Sequence, residues 1–261
     1  MSWWNDRMVA FDLETTDKDP ENARIVTAAI ALCSGGERTE SETWVADPGV
    51  EVPEEAAGIH GYTTERVRAE GRPAAEVVAE VIETLEMAVL AGLPLVIYNA
   101  RYDLTVLDRE ARRYGLVPLT DRCPDMIVID PMLIDKWLDR YRKGSRKLDA
   151  MCAHFGFPLG EAHDASFDAI AAARGAWCLG ARGVVVRRTD WPAAAAEAAE
   201  CKQTWERVHE DLRALHNEQI RWAREQALSL ANYFRDKGQY DDAESVQTQW
   251  PVVPVREVAA A

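Results

Sequence analysis

The 261-residue chain has little cysteine: Cys33, Cys123, Cys152, Cys178 and Cys201, an odd number with no C-x-x-C spacing. That excludes a disulfide scaffold and offers no zinc-knuckle pattern, so reduced, buried thiols are expected. Positive charge is also short. The chain has 30 Lys and Arg against 44 Asp and Glu, a formal net charge of −14. A protein that simply coats nucleic acid or an anionic membrane is usually basic. An acidic chain that acts on nucleic acid must rely on local contacts and bound cations, with strong salt dependence. No apolar run is long enough to span a bilayer, and MSWWNDRMV at the N-terminus lacks the layout of a secretory signal. A cytoplasmic protein with no membrane partner is expected. Glycine and proline are missing from Ala193 through Lys237, which excludes a loop-rich segment there.

What is present is a chain 48% hydrophobic, enough for one large domain or a domain with an appendage. Met8–Leu13, Ile25–Cys33 and Thr39–Ala46 read as an antiparallel meander joined by short turns. Short buried strands follow at Leu93–Tyr98 and Met126–Ile129. Helical periodicity covers Ala74–Ala91, Leu104–Tyr114, Met132–Tyr141, Leu148–Phe155 and Phe167–Ala181. The pattern predicts an α/β fold, a mixed five-stranded sheet flanked by helices. Val208, Leu212, Leu215, Trp222, Ala223, Ala227, Leu230 and Phe234 lie roughly on one helical stripe. They predict one long helix or a helical pair outside the α/β body, followed by an extended tail at Trp250-Pro-Val-Val-Pro. The division expected is 1–185 for the body and 186–261 for a C-terminal helical extension. Trp205 and Trp222 are expected as core or interface contacts.

Chemistry starts at MVAFDLETT. Residues i and i+2 of a strand share a face, so Asp12 and Glu14 project together. Paired carboxylates raise one another's pKa unless a cation lies between them. The pair is either a solvated strand end or part of a divalent-metal site, and the second reading requires further acids. LVIYNARYDLTVL supplies Asp103 at a strand-to-helix junction, and EAHDASFDAIAAAR supplies His163 and Asp168 at a helix start. With Asp164 as N-cap, His163 is N′ and Asp168 is N4, the two positions that fold back on each other. Asp130, before Pro131, is a candidate further ligand. Asp17, Asp19, Asp108, Asp121, Asp135 and Asp149 read as surface charges or caps. Arg101 and the cluster R-K-G-S-R-K (Arg142–Lys147) are either phosphate guides or solvated charge.

FDLETT, YNARYDLTVL and HDASFDAIAAAR, in this order, resemble the three motifs of the DEDDh 3′→5′ exonucleases, the family of the proofreading epsilon subunit of bacterial DNA polymerase III. The resemblance covers about residues 7–182, and VIDPMLIDKWLDRY and KLDAMCAHFG resemble linking segments of free-standing actinobacterial and phage-type members. It implies a ribonuclease H-like fold and two divalent metal ions, Mg²⁺ or Mn²⁺, held by Asp12, Glu14, Asp103 and Asp168. It implies His163 as general base. IHGYTTERVRAEGRP is similar to the family's H-G-I-T segment, which places His60 at the terminal-nucleotide pocket with Tyr62 where Ile is usual. Asn99 falls where members often carry H-N, with Tyr98 in place of that His. Leu13, Thr15, His60, Asn99 and Tyr102 are the substrate contacts expected, although strand parity points Leu13 away from the acids. The implied substrate is single-stranded or 3′-frayed nucleic acid, DNA favoured over RNA 3′ ends. A replication or repair complex is a candidate partner, and a non-catalytic binding module is the competing class.

Overall fold

The computed structural model describes residues 2–34, 39–158, 164–182 and 192–255. Its strands are β1 (Met8–Thr15), β2 (Ile25–Cys33), β3 (Glu40–Asp47), β4 (Arg72–Pro73), β5 (Leu95–Val96) and β6 (Val128–Ile129). They form one sheet in the order β4-β3-β2-β1-β5-β6. The β1–β3 meander is antiparallel, while β5 and β6 run parallel to β1. The sheet therefore has a sixth strand beyond the five expected. Arg72–Pro73 joins β3 in parallel and is too short to carry a period-2 pattern. Pro73 then leads directly into a helix.

The helices are α1 (Glu54–His60), α2 (Thr64–Glu70), α3 (Ala74–Leu90), α4 (Ala100–Arg113), α5 (Leu119–Arg122) and α6 (Pro131–Leu138). They continue with α7 (Leu148–Phe155), α8 (Ala165–Arg182), α9 (Pro192–Val208), α10 (Leu212–Asp236) and α11 (Tyr240–Ser245). Small side chains set the main packing. Ala28, Ala29 and Ala31 of β2 are fully buried, as are Ala169 and Ala176 of α8, so α8 lies close across β1 and β2. At Gly180 a Cβ would stand 2.7 Å from the Trp4 side chain, so that indole fixes how near α8 approaches the N-terminal turn.

The boundary expected near residue 185 falls outside the described residues. Beyond it the helical stripe resolves into two helices, α9 and α10, broken just before Asp211, whose side chain caps the Ala214 N–H at 2.9 Å. Trp205, Trp222 and Trp250 belong to the same hydrophobic cluster as the sheet. Trp222 is fully buried and stacks on Trp137 with ring centroids 4.1 Å apart. Trp205 and Trp222 are both core contacts, one of the two roles expected of them. The tail, non-helical as expected, lies on α4. Val253 N–H donates to Thr105 Oγ1 at 3.1 Å, and Arg109 donates to the Val253 carbonyl at 2.9 Å.

The extension also finishes the sheet. The free edge of β6 would leave buried backbone groups unpaired, and α10 supplies side chains in place of another strand. Gln219 donates to Val128 C=O at 2.9 Å and accepts from Asp130 N–H at 2.8 Å. His216 Nδ1 accepts from Val128 N–H at 3.1 Å. Gln219 is 0% exposed, so water cannot replace it. Gln219→Leu is expected to cost about 2–4 kcal/mol, because two buried backbone groups lose their partners. Urea unfolding measures this, and an unchanged midpoint would show that the edge is satisfied in another way.

Candidate active site

Asp12 and Glu14 lie at the centre of the sheet because β1 does. The pairing of β1 with β5 covers Val9 and Ala10 only, so beyond Ala10 the two strands part. The gap is filled by the first turn of α4. Leu13 N–H, left without a strand partner on that side, donates to Asp103 Oδ1 at 3.1 Å. Asp103 is 4% exposed. Opposite it, α8 delivers Asp168. Asp164 is the N-cap, accepting from Ser166 N–H at 2.9 Å, and Asp168 N–H donates to the Asp164 carbonyl at 3.0 Å. Asp168 thus occupies the expected N4 position. His163 lies outside the described residues.

Asp12, Glu14 and Asp168 each present a carboxylate oxygen within 4.8 Å of the others. Asp103 stands beside this group of three. Burial, followed by the charges of Asp103, Asp168 and Glu14, holds the Asp12 carboxyl well above the ordinary carboxylate range. Burial and then Asp168 push Glu14 up to about 8. Burial also raises Asp103, against the lowering effect of the hydrogen bonds from its own backbone and from Leu13. Among the described residues no cation offsets these charges at Asp12 or Glu14. A partly buried set of mutually repelling oxygen donors fits a hard divalent ion.

A cleft of about 530 Å³ opens beside the acids. It is lined in part by Leu13, Thr15, His60, Asn99 and Tyr102, so the five expected contact positions share one concavity. Leu13 is 6% exposed, in keeping with its core-facing parity, yet it still borders the cleft. The Tyr102 and Thr15 hydroxyls and the Asp17 carbonyl form a close triangle in which the two hydroxyl protons make two hydrogen bonds. His60 is buried and its Nδ1 accepts from Tyr62 N–H at 3.2 Å. Tyr62, the departure from the family's Ile, carries the Arg66 guanidinium 3.9 Å above its ring. Lys18, Glu55 and Ile59 also line the cleft. Their only sequence signal was proximity to FDLETT and to the H-G segment.

Asn99 is the one non-glycine residue with positive φ (63°) among the described residues. Its N–H and that of Ala100 both donate to Asp130, at 3.1 Å each. Asp130 also accepts from Met132 and Leu133 N–H, at 3.0 and 3.3 Å. Its oxygens are committed to four backbone amides, so the expectation of a further metal ligand is corrected to that of a double cap. Two other expectations change. Asp108 and Asp135 are buried instead of superficial. Asp135 pairs with both Arg142, at 2.5 Å, and Arg146, at 2.7 Å, so the two arginines of R-K-G-S-R-K share one buried carboxylate and point inward.

Comparison with known proteins gives a family and a fold. The RNase_T family model, described as Exonuclease, matches residues 9–175. Exonuclease I of E. coli, solved with a dT13 oligonucleotide, superposes with TM-score 0.57 at 20% identity, over 68% of this chain and 41% of that one. The moderately thermophilic Exonuclease I from Methylocaldum szegediense gives TM-score 0.57 at 22% identity with the same coverage. A zinc-bound E. coli Exonuclease I–single-stranded DNA complex gives 0.56 at 21%. This chain thus spans about two fifths of those structures, and the likeness concerns the fold. No curated protein matches the chain. Among the described residues no helix is long and apolar enough to cross a membrane.

Proposed function

Because the chain belongs to the exonuclease family whose model matches residues 9–175, we propose that it removes nucleotides one at a time from the 3′ ends of single-stranded or frayed DNA. Nucleoside 5′-monophosphates are the products. The observation that carries this reading is the convergence of Asp12, Glu14 and Asp168 oxygens within 4.8 Å, with Asp103 beside them and a nucleotide-sized cleft adjoining. Residues 1–185 act as the exonuclease domain and 186–261 as its helical extension, in the cytoplasm.

Asp12, Glu14, Asp103 and Asp168 would hold two divalent ions, Mg²⁺ or Mn²⁺, with Asp12 serving both. Bound there, such ions stabilise the charge that develops on the phosphate and leaving oxygen and lower the pKa of the attacking water. The remaining work belongs to the chain. Leu13 and His60 wall the terminal nucleotide, Asn99 borders it from the α4 side, and the Thr15–Tyr102 pair fixes the cleft rim beside the sugar. His163, in its neutral form, takes the proton of the attacking water. The excluded bulk of a base pair explains the preference for frayed ends.

Digestion of matched 5′-labelled single-stranded DNA, duplex DNA and RNA with Mg²⁺, Mn²⁺ or EDTA tests the proposal. A ladder that shrinks from the 3′ end of single-stranded DNA and vanishes on chelation is expected. Preferential RNA degradation would move the substrate class, and inertness toward all three would remove the activity. His163→Ala is expected to lower kcat by about 10²–10⁴ while KM changes little. A rate within a few-fold of wild type takes His163 out of the base role.

A further inference from the structure

A second cavity, of about 460 Å³, lies between the exonuclease body and α10. Asn99 lines both this cavity and the catalytic cleft, so the two adjoin at the left-handed residue that starts α4. Two cations face it, Arg101 from α4 and Lys136 from α6. Both are half-buried. Neither forms a salt bridge among the described residues, and Arg101 Nε is buried without a hydrogen-bond partner. Arg142 and Arg146, by contrast, each ion-pair with Asp135. The carboxylate in the wall, Asp130, has its oxygens committed to backbone amides. Burial lowers the pKa of Lys136, the Arg146 and Arg101 charges act in the same sense, and Asp130 opposes them.

Two partly desolvated like charges in one cavity are stabilised by an anion placed between them. The opposite wall comes from α10 and combines Gln226 and Ser229 with Leu230 and Tyr233, the last two remaining 47% and 55% exposed. An aromatic face beside paired cations is the combination that takes a base together with its phosphate. We propose that this cavity is a nucleotide subsite of the strand being degraded. Arg101 and Lys136 take an internal phosphodiester, and the α10 wall takes a base upstream of the 3′ end. The inference rests on the exonuclease reading and gives the C-terminal extension a part in substrate binding.

The test uses the full chain, with Lys136→Gln to remove one cation and Ser229→Glu to place a carboxylate in the cavity from an exposed position on α10. Circular dichroism checks that each variant is folded. Binding of a 5′-fluorescent thymidine decamer is followed by anisotropy in EDTA, so it is read independently of hydrolysis. Each variant is expected to raise the decamer Kd about tenfold. Lys136→Gln should also flatten the slope of log Kd against log salt by about 0.7, one phosphate contact on a single strand. With Mg²⁺, KM for the decamer should rise in step, while KM for a dinucleotide stays within about twofold because a dinucleotide does not reach the cavity. Unchanged decamer Kd and slope in both folded variants overturn the subsite even if wild type degrades DNA. A loss of dTMP binding without a loss of decamer binding assigns the cavity to released product and also overturns it. Decamer binding that responds as expected in a protein inert to all nucleic acids would separate failure of the exonuclease reading from failure of the subsite.

Discussion

Asp12→Asn is expected to leave a folded protein with no measurable nuclease activity and, without metal, a higher melting temperature than wild type. The activity loss should exceed the about 10²–10⁴ associated with a missing general base, because Asp12 lies among all the other acids and serves both proposed ions. The stability gain follows from the same geometry. Unit charges 4.8 Å apart repel by roughly 3.5 kcal/mol at an effective dielectric of 20, and the fold escapes part of that by keeping protons. Glu14, ordinarily near 4.5, holds its proton to about 8 in the folded chain. Between those values the folded state binds more protons than the unfolded one, so stability falls as pH rises across the window. In EDTA, wild type should therefore melt lower at pH 8 than at pH 5 on account of this cluster, and Asp12→Asn should flatten the difference. Mg²⁺ should stabilise wild type at pH 8 and have much less effect on the variant. Scanning fluorimetry at the two pH values, with and without Mg²⁺, reads all three effects. A variant that is inactive but also less stable in EDTA at pH 8 would show that Asp12 is structural and not a repelled ligand.

The acids were legible because their chemistry demands a residue type at a structural junction. D-x-E at a strand end, an acid at a strand-to-helix step and an acid one turn into a helix all leave local patterns. The positions that eluded sequence reading depend on partners far along the chain. Asp135 sits on a helix like any surface acid until Arg142 and Arg146 fold back onto it, and this also removes them as phosphate guides. His216 and Gln219 look like the polar side of an amphipathic helix, but they replace a strand along β6. Only the tertiary approach of α10, 88 or more residues away in sequence from these partners, turns them inward. Arg72–Pro73 pairs over too few residues to show periodicity.

Asp130→Ala is expected to be the most destabilising single substitution outside the hydrophobic core, at about 4 kcal/mol or more. Asp130 is 3% exposed, and a buried amide left without its acceptor costs about 1–3 kcal/mol. Four such amides, from Asn99, Ala100, Met132 and Leu133, converge on its carboxylate. A total stability of about 5–15 kcal/mol is typical, so urea unfolding should shift to much lower midpoint. Asp130→Asn separates the cap from a ligand. Three of the four contacts use Oδ1 and only Ala100 uses Oδ2, so an asparagine oxygen at the Oδ1 position keeps most of the network and loses one bond. It should cost about 1–3 kcal/mol and leave kcat near wild type, whereas a metal ligand would lose kcat with little change in stability. The effect on KM should be larger. Asn99 holds a left-handed backbone (φ 63°) that costs of order 1–3 kcal/mol and persists only where its surroundings enforce it. Asp130 is the group that enforces it, and Asn99 borders both the catalytic cleft and the Arg101–Lys136 cavity. Weakening the cap should therefore loosen the junction between the two before it affects the acids on β1.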